Sequence, residues 1–375
     1  MYEQHILEDI LFYMLYAAAA VLSLLACLYL MFRKGNAFAS DVTPPARLRW
    51  WTAAFFASMT LSHVWYFPPY FLPPGEDQIM GQLVGGLLDS ITVVPFAIAI
   101  LFTMLQDRKR SLWPIAVMVA PLVVGMALCV INCSLDYMAF IYVYFPIMGL
   151  GLVIYMVHEV WRYGRWLRDN YADLEHKEIW QSFVVLNIIL ITFSIYVGGM
   201  DWKAYESIIQ ICDIIVTCFI LWRVETLSDL GNLRNDSVEA EESTTDSEHG
   251  ERSSSSSAIC ERIASLLQRY CIDTHLYLQH DLTLSQLARA VGTNRSYLGQ
   301  YFSSQGTTYN AYINNLRINH FMNICREAVA AHRPFTVQQL ANDSGYRSYS
   351  TFSLAFKNRT GQSVTAWIRE TTQQS

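Results

Sequence analysis

"LTLSQLARAVGTNRSYLGQYFSSQGTTYNAYI", residues 282–313, returns in altered form as "FTVQQLANDSGYRSYSTFSLAFKNRTGQSVTAWI", residues 335–368. Thr283, Leu287, Ala288 and Gly292 align with Thr336, Leu340, Ala341 and Gly345 at an offset of 53. Leu298 and Phe302 align with Phe352 and Phe356 at 54, and Gly306 and Ile313 with Gly361 and Ile368 at 55. An offset that grows by one in the turns marks a duplicated unit with small loop insertions. Each copy opens on Thr-x-x-Gln, a capping box that starts a short helix, and reaches a glycine where a left-handed residue ends it. A second helix follows, with Leu298 and Phe302, or Phe352 and Phe356, four apart on its inward face. Two short helices joined by a tight turn form a helix-turn-helix, whose second helix enters the major groove of DNA.

Between the copies a helical pattern runs from Thr308 to Ala331, punctuated by Tyr312, Ile313, Leu316, Ile318, Phe321 and Ile324. About 22 helical residues span ~33 Å, close to the ~34 Å of one DNA turn. Such a connector would hold two reading helices in successive major grooves on one DNA face.

These residues carry a specific likeness. Residues 259–370 resemble the DNA-binding domain of AraC-type (arabinose-regulator-like) bacterial transcription factors, through "LTLSQLARAVGTNRSYLGQYF", "YINNLRI" with Arg317, and "GYRSYSTFSLAFKNRTG". The resemblance implies a seven-helix domain with two helix-turn-helix units that regulates promoters. It implies base readers at Asn294, Arg295, Ser296, Gly299 and Gln300 in the first unit, and at Ser348, Tyr349, Ser350, Ser353 and Leu354 in the second. Arg347, Lys357 and Arg359 are the expected phosphate contacts. Gly299 and Leu354 depart from the family in offering no side-chain hydrogen bond, Ser303 in replacing a lysine, Val364 a proline and Trp367 a tyrosine. Exposed Ser, Asn and Gln are also ordinary helix surface, and packing is the alternative role of Tyr349.

Ahead of this polar domain the composition changes. Apolar residues crowd into positions 10–224, in seven segments close to the ~20 residues that cross a bilayer. They are Ile10–Phe32, Trp50–Phe67, Leu83–Leu105, Leu112–Asn132, Tyr137–Trp161, Trp180–Gly199 and Ser207–Trp222. The fold class expected is therefore all-α: a polytopic seven-helix bundle, a disordered linker and an all-α DNA-binding domain. Glu3, Glu8 and Asp9 before the first segment oppose the basic start of a cleavable signal peptide. Loop charge sets orientation. Arg33, Lys34, Arg47 and Arg49, then Arg108, Lys109 and Arg110, then Arg162, Arg165, Arg168 and Lys177 occupy alternate loops, against Lys203 on the other face. The N-terminus is thus expected outside and the C-terminus in the cytoplasm. Trp50, Trp51, Trp65, Tyr66, Trp161, Trp166, Trp180 and Trp222 gather at span ends, as interfacial aromatics do.

Ionisable residues within spans are functional suspects. His63, Asp89 and Asp213 fall in the outer thirds of the second, third and seventh segments, with Asn132, Asp136 and Asp201 near the same face. A ligand pocket opening outward is one reading; hydrogen bonds between helices, which also suit Asn187 and Thr192, are the other. The seventh segment holds no lysine for a retinal Schiff base. "FPPYFLPPGED", residues 67–77, is a stiff loop and a lid only secondarily.

From Glu225 to Ala258 the chain carries nine acidic residues against Arg234 and Arg252; from Ile259 onward it carries eleven Lys and Arg against six Asp and Glu. The acidic, Ser-rich stretch 237–257 cannot bury enough apolar surface to fold. A flexible spacer of roughly 23 residues reaches roughly 25–30 Å. No rigid twist would pass through it, leaving association, local concentration or occlusion as ways to signal.

The leading expectation is a membrane-anchored one-component regulator of the inner membrane. Its partners would be promoter DNA and the bilayer, with RNA polymerase, a second copy of the chain and an unidentified small-molecule or envelope signal left open. The rival is an integral membrane enzyme or transporter with a regulatory DNA-binding tail. Neither a catalytic Ser/His/Asp spacing, a phosphate-binding glycine loop nor HExxH occurs, and the eight scattered cysteines give no zinc pattern or disulfide framework, so no catalysis, cofactor or metal is expected.

Overall fold

The computed structural model describes residues 2–33, 35–40, 42–73, 75–175, 177–180, 202–230 and 256–374. The sixth expected span, with Asn187 and Thr192, Asp201, the Lys203 side chain and the linker stretch 231–255 lie outside the described residues. The described residues are helical, with one isolated antiparallel bridge and no strand among them. The chain forms two compact units, Met1–Tyr163 with Ile179–Gly231, and Gly164–Glu178 with Asn232–Ser375.

The first unit comprises α1 (Tyr2–Phe32), α2 (Ala46–Tyr66), α3 (Glu76–Ile91), α4 (Val93–Met104), α5 (Trp113–Ile131), most of α6 (Met138–Asn170), and α7 (Trp202–Thr226). Among the described residues five stretches are long and apolar enough to cross a membrane: Asp9–Phe32, Glu76–Met104, Trp113–Ile131, Met138–Asn170 and Ser207–Thr226. The second expected span is the more polar α2, which packs against α1, α3, α4 and α7 and buries Leu48, Thr52, Ala53 and Phe56. On α6 an outward stripe shows the solvent such a bundle suits. Val143, Ile147, Leu150 and Ile154 follow each other at helical spacing, and each is 62% exposed. Aqueous proteins rarely display a continuous apolar stripe of this kind.

The third expected span is two helices that meet at Thr92. Pro95 supplies the reason, since its ring has no N–H and crowds the carbonyl four residues back, at Ile91. Thr92 bridges the break, its N–H and hydroxyl both donating to the Leu88 carbonyl at 3.0 and 2.8 Å. Two acidic residues pair with the loop arginines. Glu159 of α6 takes Arg110 at 2.6 Å and Arg108 at 2.9 Å, and Glu225 of α7 takes Arg33 at 3.1 Å. Part of the positive charge of these loops is thus neutralised within the bundle.

The second unit adds α8 (Ser256–Leu267), α9 (Leu284–Val291), α10 (Arg295–Ser304), α11 (Tyr309–Ala330), α12 (Val337–Asp343), α13 (Tyr349–Thr360) and α14 (Val364–Gln374). The long connector α11 is capped by the Thr308 hydroxyl, within a residue of its expected start. One apolar core gathers Leu287, Val291, Leu298, Phe302, Tyr309 and Ile313; a second gathers Ile318, Phe321, Leu340, Phe352, Phe356 and Trp367. Helix α11 contributes to both. Each helix-turn-helix therefore closes over its own end of one 22-residue helix.

Candidate nucleic-acid interface

The local chemistry of the two units explains how their second helices are presented. Thr283 and Gln286 form a full capping box, and the Thr336 hydroxyl accepts from the Gln339 N–H at 3.2 Å. Gly292 and Gly345 take φ of 76° and 89°, the left-handed region that frees the chain to turn. Helix α10 is then capped by the Asn294 side chain, which accepts from the Tyr297 N–H at 2.8 Å. Helix α13 is capped by Ser348, whose hydroxyl accepts from the Thr351 N–H at 3.3 Å. Leu298, Phe302, Phe352 and Phe356 are buried at 2% exposure or less. The opposite faces point out.

On α10, Ser296 and Gln300 are exposed and Arg295 is half-buried; no atom lies within 4 Å of where a Cβ on Gly299 would be. On α13, Tyr349 and Ser350 are exposed, Ser353 is half-buried and Leu354 is 63% exposed. The Tyr349 ring also lies 6.0 Å from that of Phe352, so it flanks the core as well as facing out. Arg347, Lys357 and Arg359 are exposed beside them. Asn294 and Ser348, expected as base readers, have their oxygens in use as helix caps. Arg347 pairs with Asp281 at 2.6 Å.

Sequence reasoning missed three features. The first is the buried role of Arg317, a residue named there only as part of the likeness: 1% exposed, its guanidinium donates to the carbonyls of Tyr277 at 2.8 Å, Gln279 at 2.6 Å and His280 at 3.1 Å and lies over the Tyr346 ring. Its place on the apolar face of α11, four residues from both Ile313 and Phe321, was the available signal. The second is Tyr297, 50% exposed on α10.

The third is the segment after α6, residues 171–175 and Lys177. Its backbone pairs with Thr283 as an antiparallel bridge, and the Ala172 N–H donates to the Leu282 carbonyl at 3.3 Å. Ala172, 2% exposed, joins the first core. Asn310 of α11 donates to the Tyr171 and Ala172 carbonyls at 3.2 and 2.7 Å. Glu175 accepts from the hydroxyls of Ser348 at 2.7 Å and Thr351 at 3.1 Å. Lys177 is buried, 3.8 Å from Asp281 and over the Tyr171 ring. Burial pushes the Tyr171 phenol up to about 12, against the opposing influence of Arg295.

In the first unit His63, Asp89 and Asp213 lie in one polar cluster. Asp89 accepts from Ser62 at 3.1 Å and the Trp65 indole at 3.2 Å. His63 meets the Met59 carbonyl at 2.7 Å and Gln210 of α7 at 3.0 Å, while Tyr16 donates to its carbonyl. Asp213 is half-buried and near enough to Asp89 for their charges to interact. These bonds tie α2 to α3 and α7. A cavity of about 720 Å³ lies elsewhere, lined by Arg108, Lys109, Arg110, Tyr144, Met148 and Tyr155 among others.

Residues 287–370 match the protein family described as Helix-turn-helix domain. No curated protein and no solved structure matches the chain. The matched residues run from Leu287 within α9 into α14, across both helix-turn-helix units and the connector that joins them. Residues 287–370 are an AraC-type helix-turn-helix domain, a kind of domain that binds double-stranded DNA.

Proposed function

We propose that the chain is a membrane-anchored bacterial one-component transcriptional regulator. Residues 1–224 form a seven-span domain of the inner membrane with its N-terminus outside. Residues 225–258 are an acidic linker, and residues 259–375 read promoter DNA sequence-specifically in the cytoplasm. The observation that carries this reading is the presence, in one chain, of two helix-turn-helix units on a shared 22-residue helix and five described helical stretches suited to a bilayer. Ser296, Gln300, Tyr349, Ser350 and Ser353, with Arg295, act on base edges. Asn294 and Ser348 contribute the helix starts, and Arg347, Lys357 and Arg359 hold phosphates. His63, Asp89 and Asp213 are the place where a signal would act on the membrane domain.

Genome-wide mapping of DNA crosslinked to the tagged full chain in its own bacterium tests this reading. Discrete enrichment upstream of genes is expected; coverage matching an untagged strain contradicts it. Paired Asp89→Asn and Asp213→Asn changes separate sensing from anchoring. A sensor loses its signal-dependent change in promoter output at unchanged protein level, whereas an anchor keeps it.

A further inference from the structure

The contact of residues 171–175 and Lys177 with the reading unit covers groups that DNA would need. A helix N-terminus with free hydroxyl donors attracts an anion, and the phosphate backbone of DNA supplies anions there. At the start of α13 the anion present is the Glu175 carboxylate, held by the hydroxyls of both Ser348 and Thr351. Around it, Asp173, Glu175 and Glu178 outnumber Lys177, so the segment carries the sign of charge that DNA carries. Lys177 and Arg347 both face Asp281, which leaves Arg347 tied beside the occupied helix start. The segment also touches the first helix-turn-helix through Thr283 and Leu282, and the connector through Asn310. It therefore reaches both units and the helix that sets their spacing.

We propose that residues 171–175, with Lys177, are an internal competitor for DNA, in which Glu175 stands where a phosphate would sit at the start of α13 and Ala172 anchors the segment in the first core. DNA binding then requires the segment to leave. Because it continues directly from α6, whose earlier turns carry the apolar stripe, a change in α6 has a route to the reading unit that bypasses the linker. Occlusion is one of the forms of signalling that a flexible linker permits, and here the occluding element is part of the chain. The proposal rests on the DNA-binding reading and adds to it a means of control.

The test uses the full chain in lipid nanodiscs and a fluorescein-labelled pool of random-sequence duplex DNA, with affinity read by anisotropy. Glu175→Gln removes the anion and keeps the shape; affinity is expected to rise roughly tenfold, the equivalent of one charge-assisted hydrogen bond. Glu178→Gln makes the same change in net charge on the exposed Glu178 and is expected to shift affinity less than about twofold. Equal effects of the two changes, or none from Glu175→Gln while the unmodified chain binds DNA, overturn the competitor and leave DNA binding standing. Absence of binding by every variant overturns both. Hydrogen exchange on the unmodified chain gives a reading free of mutation. Added duplex should speed exchange of the Ala172 amide, and an unchanged rate with DNA bound overturns the proposal.

Discussion

Gly345 and the Leu278 carbonyl meet across the two halves of the reading unit: a Cβ on Gly345 would lie 2.7 Å from that oxygen and 3.0 Å from the Arg317 Nε. The glycine also holds φ at 89°. Its small size is required twice, by the turn and by the neighbouring chain.

Gly345→Ala should therefore cost about 2–4 kcal/mol, the left-handed penalty of ~1 kcal/mol plus displacement of a backbone carbonyl. Gly292→Ala supplies the comparison. It shares the left-handed φ of 76° but has no atom within 4 Å, so about 1 kcal/mol is expected. Chemical denaturation of the two variants, followed by hydrogen exchange in α12 and α13, checks the difference.

Arg317 fastens the same junction from α11. Arg317→Met removes a buried charge but strands three carbonyls, those of Tyr277, Gln279 and His280. A loss of about 3 kcal/mol follows, since buried acceptors left without partners cost ~1–3 kcal/mol and only part of the set can turn to water. Arg317→Lys should recover less than half, because a compact ammonium cannot present the planar fork. Denaturation midpoints of the two variants decide it.

Much of this was legible. The repeat offsets of 53 to 55 located both units, and the Thr-x-x-Gln pairs and glycines marked their helix ends. Periodicity fixed the connector to within a residue, because caps and apolar spacing are local signals. The break at Thr92 was hidden by hydropathy, which registers length rather than the ring of Pro95. The clasp of residues 171–177 was hidden for a different reason. Lys177 sits in a basic loop and counts as an orienting charge, whereas its burial depends on partners about a hundred residues away. The same holds for Asn294 and Ser348: their residue types suit base readout and capping equally, and only the backbone decides.

His320 gives the reading unit a pH dependence. Burial pushes its pKa below the ordinary 6.5, with His275 adding repulsion, while Glu327 and Asp343 act the other way. The unfolded chain thus takes up a proton near pH 6.5 and the folded chain only at lower pH. Stability from this group is full above 6.5 and is lost as pH falls through the folded value. Protection of α11 amides, corrected for intrinsic exchange, should drop between pH 7.5 and 5.5. His320→Gln should flatten that drop.

Phosphate and base contacts separate by salt. Lys357→Ala or Arg359→Ala should weaken binding to all duplexes alike and reduce the slope of log affinity against log salt by about 1 each. Gln300→Ala should instead relax the preference at one base pair, by about 1–3 kcal/mol, with the slope unchanged. Titrations at several salt concentrations on preferred and scrambled duplexes distinguish the two.

On the proposed function, α11 holds two reading helices one DNA turn apart. Hydroxyl-radical footprinting of the full chain in nanodiscs, on a duplex selected from a random pool, measures that spacing. Two protected tracts centred about 10 bp apart on one DNA face are predicted. A single tract, or two at a spacing off the helical repeat, would contradict it.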